Sequence, residues 1–156
     1  MKLILPLLGL FAATTATAAA AQNAVTLNNQ VFVERVSVDA QGRRTVTLDP
    51  PQVVTPGDHL VFVLTYRNGG QQPATGFAVT NPIPPAVAFE RSDDAAAVVS
   101  VDGGRSWGPL ASLTVAQPDG RRRPAVAADV THVRWSFSQP IPVGGEGRLS
   151  FRGIVK

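Results

Sequence analysis

The stretch VVTPGDHLVFVLTYRNGGQQPATGFAVTNPIPP, residues 53–85, reads as two consecutive β-strands with their turns intact. Leu60 to Tyr66 (LVFVLTY) is apolar on both faces, the pattern of a strand covered from both sides, and is the expected central strand of a sandwich. Ahead of it, Pro56-Gly57-Asp58 makes a tight turn, because proline fixes φ and glycine is free to take positive φ. Asn68-Gly69-Gly70 ends the strand in the same way. Gly76 to Thr80 then alternates, with Phe77 and Val79 expected inward and Ala78 and Thr80 outward. The prolines of Asn81-Pro82-Ile83-Pro84-Pro85 lack the amide donor of a ladder, so the chain is expected to leave the sheet there in extended polyproline form.

Outward from this stretch every testable segment has period-two or continuously apolar patterning, and none has helical spacing. The expected fold class is all-β: an immunoglobulin-like antiparallel β-sandwich with an additional N-terminal hairpin. Val31 to Val38 and Thr45 to Leu48 form that hairpin, turned at Asp39-Ala40-Gln41-Gly42 with positive φ at Gly42. Further strands are expected at Val87 to Glu90, Val98 to Val101, Leu110 to Val115, Thr131 to Phe137 and Arg148 to Val155. Val133, Trp135 and Phe137 share one face of their strand, and Leu149, Phe151 and Val155 one face of the last. Arg121-Arg122-Arg123 is read as a loop.

Residues 1–21 carry one cation, Lys2, then an apolar run from Leu3 to Ala13 and a tail of small residues, the arrangement of a secretory signal peptide. The apolar run is shorter than the ~20 residues needed to cross a bilayer, so no transmembrane segment is expected after cleavage near Ala21. The organisation expected is a signal peptide over 1–21, a flexible N-terminal arm over 22–30 (QNAVTLNNQ from Gln22) and a single domain over 31–156. Of 14 basic residues only Lys2 lies in the leader, so 13 stand against 11 acidic ones in the exported chain. This balance argues against nucleic acid as a partner, which would need clustered cations along a face. There is no cysteine, hence neither disulfide staples nor thiolate metal sites.

At Pro56-Gly57-Asp58, Phe62, Asn68-Gly69, Ala74 with Val79, and Pro82 to Pro85, the chain resembles the bacterial conserved repeat domain, the family catalogued as domain of unknown function eleven. Asn81 stands where that pattern usually has an aspartate. Val101-Asp102-Gly103-Gly104 and the closing glycine-rich strand resemble family members that extend the core motif. The resemblance implies an exported immunoglobulin-like module of surface proteins, adhesive or fibrous arrays and envelope components, with no catalytic residue to carry over. Such domains usually occur as repeats in long chains. This chain shows no internal repeat, which points to assembly from separate subunits.

Catalytic chemistry finds little purchase in the sequence. A nucleophilic triad needs a base, and only His59 and His132 are available, at a strand start and on an outward face, with no Gly-x-Ser-x-Gly elbow. Two isolated histidines without cysteine do not make a zinc site. Glu34, Glu90 and Glu146 are scattered, and no catalytic residue, cofactor or metal is expected. Asp93, Asp94 and Asp102 are the carboxylates that a shared loop end would bring together around calcium. The contact candidates are Trp107, beside a glycine-rich hairpin, and Arg121, Arg122 and Arg123, the one run of like charge, suited to an anionic surface. The expected role is a non-enzymatic surface or extracellular structural module, located in the periplasm, on the cell surface or outside the cell. Its expected partners are envelope proteins or copies of itself, with the arm adding as a strand to a neighbour's edge. The alternative is a soluble periplasmic binding or chaperone-like module for a glycan, an anionic lipid or a protein.

Overall fold

The apolar run at residues 60–64 is the centre of the molecule. In a computed structural model, which describes residues 25–156, all five of its residues are buried in strand β3 (His59–Asn68). The other strands are β1 (Val25–Val38), β2 (Arg44–Asp49), β4 (Ala78–Pro82), β5 (Val87–Ser92), β6 (Ala97–Ser100), β7 (Thr114–Ala116), β8 (Arg122–Pro124), β9 (His132–Ser136) and β10 (Glu146–Val155). Every strand pairing is antiparallel. One sheet runs β2-β1-β3-β10-β5 and a second β4-β9-β6, while β7 and β8 pair as a small separate hairpin. The fold is thus an all-β antiparallel sandwich with a hairpin, β1–β2, at its N-terminal side.

Alternation along each strand decides what the two sheets bury between them. Val33, Leu60, Phe62, Leu64, Val87, Phe89, Leu149 and Phe151 of the larger sheet meet Val79, Val99, Val133 and Trp135 of the smaller. Phe62 and Phe151 are neighbours in the β3–β10 register, and their rings stack with centroids 4.4 Å apart. Val61 and Val63 point to the opposite face of the large sheet. They are nonetheless buried, because Phe32 and Gln30 of β1 and Arg152 and Ser150 of β10 stand beside them in register. The Arg152–Glu34 ion pair closes this face over β3.

Between Arg152 and Gly153 the β10–β5 ladder shifts by a bulge. A Cβ on Gly153 would lie 2.4 Å from Val87 Cγ1 and 2.9 Å from the carbonyl oxygen of Ala88, so only glycine fits the close approach. Gly153→Ala is therefore expected to destabilise the fold by ~1–3 kcal/mol through overpacking against backbone that cannot rotate away. Urea denaturation that leaves the midpoint unchanged would disprove the constraint.

Several expectations need correction. Residues 25–30 are not a free arm but the first part of β1, paired with β3 from Val25 opposite Asn68 to Gln30 opposite Val63. The polar sequence there misleads because backbone pairing holds it, and because Asn29 Nδ2 donates across the sandwich to Asn81 Oδ1 at 3.2 Å. Residues 22–24 and the signal peptide expected over 1–21 lie outside the described residues. Leu110 to Val115 is not one strand but a 3-10 turn, Leu110–Ser112, followed by β7. Arg122 and Arg123 lie in β8 rather than in a loop. The proline exit is a tight turn and not a polyproline run: Pro82 still pairs with His132, and Val87 N–H donates to Pro84 C=O at 2.9 Å.

Candidate functional site

The segment SVDGGRSWG, residues 100–108, folds on itself around one carboxylate. Asp102 Oδ1 accepts from the Ser100 hydroxyl at 2.8 Å and from the N–H groups of Arg105 and Ser106 at 3.0 and 2.9 Å, while Oδ2 accepts from the Ser106 hydroxyl at 2.6 Å. The Ser106 bonds are the largest cause holding the Asp102 carboxyl well below the usual carboxylate range. Ser100 is fully buried, and its oxygen also accepts from Gly104 N–H at 2.8 Å. Gly103 and Gly104 both have positive φ, which lets the loop turn tightly enough to make these bonds.

The same turn aims Trp107. Its indole N–H donates to Gly104 C=O at 2.9 Å, and Gly108 bridges to Val99, fixing the residue against the small sheet. Arg134, on the outward side of β9, lays its guanidinium 3.8 Å from the indole centroid. His132 meets the ring edge-on at 6.2 Å. Trp107 is half-buried in this stack, with its N–H and one ring face already engaged. Replacing Asp102 by alanine is expected to release the loop and shift Trp107 fluorescence to the red, since Trp135 remains in the core. An unchanged emission spectrum would show that the carboxylate does not position the indole.

The arginine run does not act as one patch. Arg121 pairs with Asp119 at 2.7 Å in the β7–β8 turn. Arg122 donates to the hydroxyl and the carbonyl of Thr114 at 2.7 and 2.9 Å. Arg123 turns the other way and forms a two-pronged pair with Asp129, both bonds 2.7 Å. With the Val126 N–H bond added, this pair lowers the Asp129 pKa to about 2. Because the folded value lies below the ordinary 3.8, the pair's stabilisation is complete above pH 4 and is lost as pH falls toward 2. Acid titration should show this loss in the wild type, and Asp129→Asn should lack that component. Of the sequence candidates, Arg122 and the Trp107 loop come together: Asp102, Arg105, Thr114 and Arg122 line a shallow groove of about 340 Å³.

The histidines and the remaining carboxylates have other places. His59 Nδ1 lies 3.2 Å from Glu90, which pairs with Arg91 at 3.1 Å. Asp93 sits between Arg91 and Arg152, each at 3.2 Å. With Glu34 these groups form a belt of alternating charge across the outer face of β1, β3, β10 and β5. Each exposed pair in such a belt contributes little on its own. Asp94 caps the Ala96 N–H at 2.9 Å, and Asp102 is consumed in its own loop. The three aspartates are therefore not brought together, and the described residues contain no cluster of three or more His, Cys, Asp or Glu side chains suited to a metal. Glu146 faces Arg67 at 3.7 Å beside a groove of about 610 Å³ that Thr65, Arg67 and Arg148 also line.

Sequence reading missed Arg134 and the paired serines. The signal was present as Ser100-x-Asp102-x-Gly104-x-Ser106-Trp107, polar residues at every second position around two glycines, which marks a loop wrapped on its aspartate. No such signal exists for Arg134, which reaches Trp107 from another strand. No helix among the described residues is long and apolar enough to cross a membrane. No family model, curated protein or solved structure matches the chain.

Proposed function

We propose that the protein is an exported, non-enzymatic structural or adhesive module of the cell envelope or surface that acts through contacts with other proteins, including copies of itself. The observation that carries this reading is the exposed apolar face of the β1–β2 hairpin. Val36 pairs with Val46 there, and Val36, Val38, Val46 and Leu48 lie on one side with Val38 62% exposed. Val53 and Val54 follow and are also exposed. A contiguous apolar patch of this kind on a folded domain marks a protein contact. The signal-like leader and the likeness to the conserved repeat domain support the location, and the sandwich, held by its core without cysteines, suits a rigid surface module.

Fractionation of the native cell, with electron microscopy of the purified mature protein, tests the proposal. Recovery in the envelope or medium, processed near residue 21, is the expected result. Recovery from the cytoplasm with the leader retained would overturn it. The second reading, a periplasmic binding module, draws on the groove where Arg105 and Arg122 converge beside the Trp107 loop. Saturable binding to an anionic glycan array, lost in Arg122→Ala, would favour it over the first.

A further inference from the structure

Among the described residues the two sheets end in four edge strands, three of them blunted, and residues 25–32 of β1, which β2 does not reach, add a further open stretch. β5 carries Glu90 and Arg91, borders the bulge at Gly153 and is flanked by the 3-10 turn Ala127–Asp129. β4 ends in Pro82, and β6 is partly covered by the Val99–Gly108 bridge. β2 has its charges, Arg44 and Asp49, only at its two ends, with Pro50 following the strand. All six of its residues are exposed, and Thr45–Leu48 contain no lysine, no proline and no charge. An unprotected edge of β-forming residues is a template for another strand.

The geometry of the hairpin says which backbone groups are free. Asp39 N–H donates to Arg43 C=O at 3.0 Å and Asp39 C=O accepts from Gly42 N–H at 2.9 Å, so Asp39 is the bonded position that closes the ladder at the turn. Alternation along the register then makes Ser37–Thr45 and Arg35–Thr47 bonded pairs, and turns the N–H and C=O groups of Arg44, Val46 and Leu48 away from β1 toward the open edge. Those three residues are also the ones whose side chains share a face with Val36 and Val38.

We propose that β2 pairs antiparallel with β2 of a second copy across a two-fold axis at Val46, joining the two large sheets into one. This names the self-contact within the structural reading above and rests on it. In that register Val46 faces the partner's Val46, Arg44 faces the partner's Leu48, and Thr45 faces the partner's Thr47. Val46 and Leu48 fall with Arg44 on one side of the joint and the threonines on the other, and no like charges stand opposite each other. The valines and leucines of both hairpins become one patch. Each chain uses β2 once, so the assembly closes at two. Six residues of edge bury less than the ~1,200–2,000 Å² of a stable interface, so the dimer dissociates on dilution.

Sedimentation of the mature chain over a wide concentration range is expected to show the mass doubling as concentration rises. Val46→Pro removes only the outward-facing donor and leaves the bonds to β1, because the Val46 N–H points to the open edge. It is expected to stay monomeric with an unchanged circular dichroism spectrum. Thr47→Pro, which takes a donor from the hairpin itself, serves as the unfolding control. The chain has no cysteine, so Val46→Cys under mild oxidation should link two chains, whereas Thr45→Cys should not. A wild type that is monomeric at all concentrations overturns the pairing. So does a Val46→Pro variant that dimerises like the wild type, the outcome expected if hairpins instead pack face to face. A monomeric protein found in the envelope refutes this pairing and spares the functional reading, whereas a cytoplasmic protein refutes that reading whatever its mass.

Discussion

Phe151→Ala is expected to lower the unfolding free energy by about 3–5 kcal/mol, a large share of the ~5–15 kcal/mol that holds a domain together. Phe151 is 0% exposed and stands where both sheets converge. Its ring stacks on Phe62 at 4.4 Å and lies 6.3 Å from Trp135 and 6.4 Å from Phe89. Truncation would leave a cavity walled by three large aromatic groups from different strands, none of which can collapse without dragging its strand. Equilibrium urea unfolding is the measurement, with Phe151→Leu as the milder comparison. A loss below about 1.5 kcal/mol for the alanine variant would show that the site refills, and that the aromatic cluster is not the centre of the core.

Asn68→Asp should destabilise the protein by a similar amount at neutral pH, about 3–5 kcal/mol, the range for a buried charge left without a partner. Asn68 is 1% exposed, and its amide donates to the carbonyls of Gln72 and Ile141, both at 2.9 Å, while its oxygen accepts from Gly70 N–H. A carboxylate would face two carbonyl oxygens with nothing to donate. Its folded pKa would therefore rise above the unfolded value of ~3.9, and protonation would restore one donor. The variant should gain stability relative to the wild type as pH falls from neutral toward 4, because the folded form then binds the proton more tightly. A pH-independent difference between the two proteins would refute this account of the amide.

What could be read in advance followed the reach of each signal. β3 was legible because five consecutive apolar residues have one cheap solution, burial on both faces. The turns at Gly42 and Gly57 were legible because their positive φ is written in residue type. Residues 25–30 were not, since VTLNNQ is held by ladder bonds to a strand more than thirty residues away and by the Asn29–Asn81 bond between sheets. The arginine run failed for a reason of period: in a strand adjacent side chains point oppositely, so Arg122 and Arg123 reach different partners and their charges do not add. At the Trp107 site the loop's glycines and tryptophan were recognised, yet Arg134 is 27 positions distant and no local pattern announces it.

The placement of β10 bears on how the protein comes to exist. Among the described residues this strand follows all the others, yet it lies between β3 and β5 in the sheet, with Leu149 and Phe151 on the inner face and Arg152 on the outer. Until residue 155 has emerged from the ribosome, β5 has no partner in its sheet and β3 has only one. The large sheet is thus completed only once β10 has been made, by a slow, long-range closure on strands already synthesised. Before that point the large sheet is incomplete, the state in which a polypeptide can still be threaded through a narrow channel and fold on the far side.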